Sequence, residues 1–462
     1  MRLLQQLLLS SVCLALAATC LAADPPPPRT TKPRLLVLIL DGIPIRTVTK
    51  VREQGAFESW GQPVPMVSTF PSMTNVAITA MLSRHRVEPI AGYERRFFEP
   101  GPDGSLTGGS IDRRRYPYPW RQMFQITNSA VRGEAAAYFS PKSKAKRMIT
   151  AIEKAILGSS DEIVLAHVGP TDVLNHFRGD EPVEAFLLQL DQRLADLEQL
   201  HLEKFGRPLR IVMLSDHGNT EKKVIPAKGL RETLQRAGLV HGKRLEGPND
   251  VVTPTYGVVS YGALYLHPEN AERAARAMAG HESVNLAAWI SGDGEITLIS
   301  REGEAVVRWR QGAACRELAY DTLDGDPLRL SGVVAEMARS GLTDRHGFAL
   351  EEDWFEASAL SDFPDGPRRV IDSLTGKYVS NSATVILSLE PDNAWGLGTA
   401  RFGAYLFGGH LEGTHGGLDR TSTLGFYMTN EAPVRSRVAI RAADVLEDWL
   451  AEGESLAMVR ID

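Results

Sequence analysis

Two apolar textures alternate along the first half of the chain. Leu35 to Leu40 is an unbroken apolar run ended by Asp41-Gly42, and Glu162 to Ala166 and Arg210 to Leu214 read as further short strands. Apolar runs without polar alternation mark strands covered on both faces, as in a parallel sheet. Val183, Phe186, Leu187, Leu190, Leu194, Leu197 and Leu200 recur at helical spacing and predict a helix over 183–204. Another apolar stretch predicts a helix to about Leu82, with Pro71 in its first turn, where a missing N–H costs nothing. Strands alternating with helices predict an α/β domain around a mainly parallel central sheet, whose carboxyl edge is where ligands collect.

The texture changes between about Lys222 and Arg345. Gly257 to Leu266 and Glu295 to Trp309 alternate like antiparallel strands, and Asn270 to Gly280 reads as a short Ala-rich helix. This predicts an inserted, smaller α+β cap subdomain over 222–345 within a domain spanning 34–462. Ala383 to Leu389 and Ser422 to Met428 then return to buried-strand texture, and no internal repeat is visible.

Ahead of the domain, Met1-Arg2 precedes a hydrophobic stretch from Leu3 to Ala23 with small residues in its second half. That is the form of a secretory signal peptide, residues 1–23, cleaved after Ala22 or Ala23; an uncleaved anchor is the alternative. Cys20 offers lipid attachment as a third course, although Thr19 before it departs from the usual pattern. Pro25 to Pro28 stiffen a linker over 24–33. The expected location is periplasmic or secreted, with no integral membrane segment once the signal is gone. Cys13 and Cys20 leave with the signal, so Cys315 alone remains in the mature chain: neither an internal disulfide nor a cysteine zinc site can form. A formal charge of −6 and a pI near 6.1 supply no basic field for a nucleic acid duplex.

The chemistry-bearing residues lie at the predicted strand ends and loops. They are Asp41 after the first strand, Thr69 in Ser68-Thr69-Phe70-Pro71-Ser72, Asp172 with His176 four residues on, Asp216-His217 in Ser215-Asp216-His217-Gly218, and His415 in Gly413-Thr414-His415-Gly416-Gly417. Singly, each has an ordinary structural explanation: a turn, a helix-surface pair, a hydrogen-bonded acid and imidazole, a loop histidine. A threonine hydroxyl needs a base or a metal before it can attack an ester. Mixed imidazole and carboxylate donors suit Zn²⁺, where an all-oxygen set points to Mg²⁺ or Ca²⁺.

Taken in order, the set resembles the alkaline phosphatase superfamily, and within it the type I phosphodiesterase/nucleotide pyrophosphatase branch, over about residues 35–220 and 380–430. The resemblance implies an alkaline-phosphatase-like three-layer sandwich and two Zn²⁺ ions per chain. Asp41, Thr69, Asp216 and His217 would surround one ion, and Asp172, His176 and His415 the other. It implies Thr69 as nucleophile and a phospho-threonine intermediate, the ions clamping the attacking and leaving oxygens. The partner is then a small phosphate ester.

The sequence departs from that branch in two places. Ser72 stands where an asparagine usually follows Phe-Pro, and Val87 to Glu94 contains no asparagine. A nucleotide substrate is thereby put in doubt, with Arg84, His85, Arg86 and Arg178 as alternative sources of positive charge. Thr69-Phe70-Pro71-Ser72-Met73 also lacks the cysteine or serine and the arginine of sulfatases. The expectation is an exported hydrolase of phosphodiesters or nucleotide-like pyrophosphates. The alternatives are a phosphomonoesterase, a phosphonate or phosphoryl-transfer enzyme of the same superfamily, and a non-catalytic metal-binding relative.

Overall fold

A computed structural model describes residues 34–102, 107–112, 118–127, 140–159, 161–313, 315–396, 411–431 and 437–450. Residues 1–33, where a signal peptide and a linker are expected, lie outside the described residues. No described helix is long and apolar enough to cross a membrane.

The central sheet contains β1 (Arg34–Leu40), β2 (Val64–Val67), β3 (Ile163–Val168), β4 (Leu209–Leu214), β5 (Leu424–Thr429) and β6 (Ile440–Arg441), in the order β6-β2-β5-β4-β1-β3. The pairs β1–β3, β1–β4 and β2–β6 are parallel, and β5 runs antiparallel to both neighbours. Leu38 sits opposite Ala166 on one side and Met213 on the other. The unbroken apolar character of β1 has a direct cause. Leu36, Leu38 and Leu40 pack into one core, and Leu35, Val37 and Ile39 into another.

The first core is closed by α1 (Ile45–Glu53), α3 (Pro141–Gly158) and α5 (Asp180–Phe205). The second is closed by α2 (Thr74–Met81), α6 (Gly366–Leu374) and the inner face of a second sheet. The architecture is the expected three-layer α/β sandwich. In α5 the apolar stripe is buried from Val183 to Leu197, but Leu200 is 49% exposed, because the inward face continues through the fully buried His201 instead.

Two expectations are corrected. The α2 helix begins at Thr74 with Met73 as its N-cap, so Pro71 lies outside the helix and Thr69 five residues before its first residue. Ser72 anchors that lead-in, its N–H donating to Gly416 O and its hydroxyl lying within hydrogen-bond distance of Thr69 O and Gly417 O. The second sheet, moreover, does not close within 222–345. Val385–Leu389 runs through its middle, antiparallel to Tyr261–Leu266 and to Val284–Gly292, and Ala349–Leu350 forms one edge. Its outer face carries Ala271–Ala279, with Ala274, Ala275 and Met278 packed on Leu264, Ala287 and Val385.

Leu38 is fully buried between two strands and the helical layer. Leu38→Ala should cost about 2–5 kcal/mol of stability through lost burial and the cavity left behind. Chemical denaturation would show it as a lower midpoint at unchanged slope.

Candidate metal centre

Each functional side chain sits at the carboxyl edge of the central sheet. Asp41 follows β1, Asp216 and His217 follow β4, and α4 (Pro170–Arg178), which starts two residues after β3, carries Asp172 and His176 one turn apart. His415 comes from the loop leading to β5. Gly42 lets the two strand ends meet. Its φ is +67°, and a Cβ there would stand 2.4 Å from Asp172 Oδ1. Its N–H donates to Asp216 Oδ1 at 3.0 Å.

The three histidines share one arrangement. The Nδ1 of His176 meets Gly413 O at 2.7 Å, that of His217 meets Gly218 O at 2.8 Å, and that of His415 meets Ser72 O at 2.7 Å. A carbonyl can only accept, so each Nδ1 carries a proton and each neutral ring turns a bare Nε2 lone pair elsewhere. Those lone pairs face carboxylates. His176 Nε2 is 3.3 Å and His415 Nε2 3.8 Å from Asp172 Oδ1, while His217 Nε2 is 3.5 Å from both Asp41 Oδ1 and Asp216 Oδ2. Asp172 Oδ1 and Asp216 Oδ2 are buried without any hydrogen-bond partner. Acceptor facing acceptor in a buried site is stable only with a cation or a proton between them. Asp172, His176 and His415 form one ligand-like group, and Asp41, Asp172 and His217 an overlapping one. The residues present therefore fit a divalent cation, through two overlapping donor groups that mix imidazole and carboxylate.

Protons compete for the same places. Burial opposes charge on His217, but Asp216 and Asp41 outweigh it and raise its pKa to about 10. Burial, then the Asp41 charge, pushes Asp216 up to about 7. Burial, then the His217 charge, pushes His415 down to about 3. Burial also works to raise Asp41, yet hydrogen bonds from His167 and His217 hold it below the ordinary carboxylate range.

Six of the seven sequence-predicted residues thus converge: Asp41, Asp172, His176, Asp216, His217 and His415. Thr69 does not join them. Its hydroxyl donates to Pro71 O at 3.0 Å, and its carbonyl accepts from Arg369 Nη2 at 2.8 Å. The hydroxyl that reaches the cluster is that of Thr74, which donates to Asp41 Oδ1 at 3.1 Å and lies 3.3 Å from His217 Nε2. Thr74 opens α2, whose N-cap offers no side-chain acceptor, so first-turn N–H groups lack partners within the helix. His167 was also missed: from β3 its Nε2 meets Asp41 Oδ2 at 3.1 Å, which fixes the carboxylate and turns Oδ1 toward Thr74. A polar residue opening an apolar helical run was the available signal for Thr74; nothing in an apolar strand marked His167.

No family model and no curated protein matches the chain by sequence. Among solved structures, human ectonucleotide pyrophosphatase/phosphodiesterase 5 is similar at 12% identity and a TM-score of 0.47, over 89% of this chain and 92% of that one. Phosphonoacetate hydrolase from Sinorhizobium meliloti 1021, in complex with phosphonoformate, is similar at 13% identity and 0.46, over 89% and 94%. The murine phosphodiesterase 5, in an inactive form with AMP, gives 11% and 0.44, over 90% and 93%. These likenesses concern chain path; the chemistry rests on this chain's own residues.

Two outcomes follow for metal binding. His176→Ala and His415→Ala should each empty the same zinc position, and the double variant should lose no more metal than either single one; elemental analysis per chain measures this, and additive losses would separate the two residues. Zinc binding must displace the proton that the metal-free cluster places on His217, so affinity should rise with pH through the neutral range. Calorimetry in buffers of different ionisation enthalpy would report the released protons.

Proposed function

We propose that the chain is an exported, two-zinc hydrolase of phosphate esters of the alkaline phosphatase superfamily, with Thr74 rather than Thr69 as its nucleophile. One observation carries the reading: the Thr74 hydroxyl lies between Asp41 Oδ1 and His217 Nε2 at the start of a helix. Asp41, Asp216 and His217 would hold one ion beside it, and Asp172, His176 and His415 the other. Bound zinc supplies Lewis acidity, lowering the pKa of a coordinated hydroxyl and neutralising charge on the ester.

The chain's own groups do the rest. Asp41 Oδ1 accepts the Thr74 hydrogen bond and so orients the hydroxyl for attack, while His167 keeps that carboxylate from turning. The uncapped first-turn N–H groups of α2 and its dipole stabilise the oxygens of a phosphoryl group held there. Attack by Thr74 Oγ1 on phosphorus forms a phospho-threonine and releases the alcohol, which carries off the proton; water then cleaves the phospho-threonine, releasing the phosphomonoester and restoring the hydroxyl. Phosphodiesters or nucleotide-like pyrophosphates are the preferred substrates. Arg84, an apparent source of charge for a dianionic monoester, is instead engaged by Asp444 and Glu447, which supports the diester reading.

With bis-para-nitrophenyl phosphate as substrate, Thr74→Ala should lower kcat by about a thousandfold or more at retained zinc content, and Thr74→Ser should keep part of the rate. Thr69→Ala should stay within about tenfold of the parent. The reverse pattern would return the nucleophile to Thr69. A kcat/KM more than about tenfold in favour of para-nitrophenyl phosphate would assign the enzyme to monoesters.

A further inference from the structure

Behind the lead-in to α2 lies a cavity lined by Thr69, Arg368, Arg369, Tyr378 and Arg441 together with Asp365 and Asp372. The space open to the centre of a water-sized sphere is about 30 Å³, enough for two or so water-sized species. None of the six converging metal-centre residues lines it.

One of its guanidiniums has no paired carboxylate. Arg441 pairs with Asp365 at 2.8 Å, and Arg368 is shared between Glu351 at 3.0 Å and Asp372 at 3.4 Å. Arg369 has no carboxylate within ion-pair distance among the described residues. Its Nη1 donates to Pro364 O and Leu418 O, and its Nη2 to Thr69 O and the Ser72 hydroxyl. All four acceptors are neutral. Of the three lining guanidiniums, Arg368 and Arg441 each contact carboxylates and Arg369 alone has none within ion-pair distance among the described residues.

Its hydrogen bonds do not close either. Arg368 and Arg369 are 7% and 4% exposed, yet Arg368 Nη1 and Arg369 Nε have no partner. Asp365 Oδ1 also lacks one. A buried guanidinium without a counter-charge is costly, and a donor left unpaired adds to that cost. Burial is strong enough to push the Arg369 pKa down to about 9 in spite of Asp365 and Asp419. Water would satisfy the two N–H donors and leave the charge; a single anion satisfies both. The remaining room admits a water to donate to Asp365 Oδ1.

We propose that this cavity is a binding site for one small monovalent inorganic anion of halide size, held between Arg368 Nη1 and Arg369 Nε. The anion neutralises Arg369, and Arg369 in turn ties down Thr69 and Ser72, the segment from which Thr74 is presented. The site stands on its own geometry, whatever reaction the metal centre performs.

The test reads binding rather than turnover. The zinc-loaded protein is melted in sodium chloride, bromide or gluconate at constant ionic strength. Chloride and bromide should raise Tm saturably by roughly 1–3 °C over gluconate. Arg368→Gln removes one of the two donors that hold the anion, and should abolish the difference. Because that variant also loses its ion pairs and can fail to fold, wild-type crystals soaked in bromide give a second measurement. An anomalous peak between Arg368 and Arg369 is expected. Equal melting in all three salts, or a cavity with water alone and no bromide peak, would overturn the proposal.

Discussion

The organising constraint of this molecule is a concentration of electron-pair donors that repel one another unless a cation lies among them. Asp41, Asp172 and Asp216 converge with the Nε2 atoms of three histidines whose Nδ1 protons are already committed to backbone carbonyls. Metal-free, the site draws in protons where it can, which is why His217 is pulled up and His415 pushed down. A divalent cation held among these donors would relieve the same repulsion.

Holding such a cluster together without metal requires a rigid frame, and the sheet provides it. Its central strand β1 buries both faces and is paired along its length with β3 and β4, so the loops after these three strands leave from fixed points. The glycine at position 42 then allows the Asp41 and Asp172 ends to approach more closely than any side chain would permit. The Gly416-Gly417 carbonyls anchor Ser72, while Ser72 O orients His415. The loop that carries one ligand thereby also steadies the approach to the helix that carries Thr74.

A second layer of polar residues supports the first. His167 occupies the oxygen of Asp41 that faces away from Thr74, and Arg369 ties the Thr69 and Ser72 segment to the Leu418 loop. Both are buried side chains whose hydrogen bonds join distant parts of the chain. Such groups persist where their hydrogen bonds fix a geometry that packing alone leaves loose.

The sequence by itself determined the strand–helix alternation, because burial on both faces of a parallel strand and on one face of a helix imposes different apolar periods. It also singled out six acids and histidines that the fold brings together, since such groups at strand ends are costly unless partnered. It could not determine which threonine reaches them. Thr69 and Thr74 lie five residues apart, and the choice depends on where α2 begins, which Ser72 and its partners at Gly416 and Gly417 decide from across the chain. Nor could an apolar run such as Val385–Leu389 announce that it would join the second sheet, because burial dictates that a strand be covered and says nothing of which neighbours cover it. The pairing of Arg369 with Thr69, 300 residues apart in sequence, exists only in the folded chain.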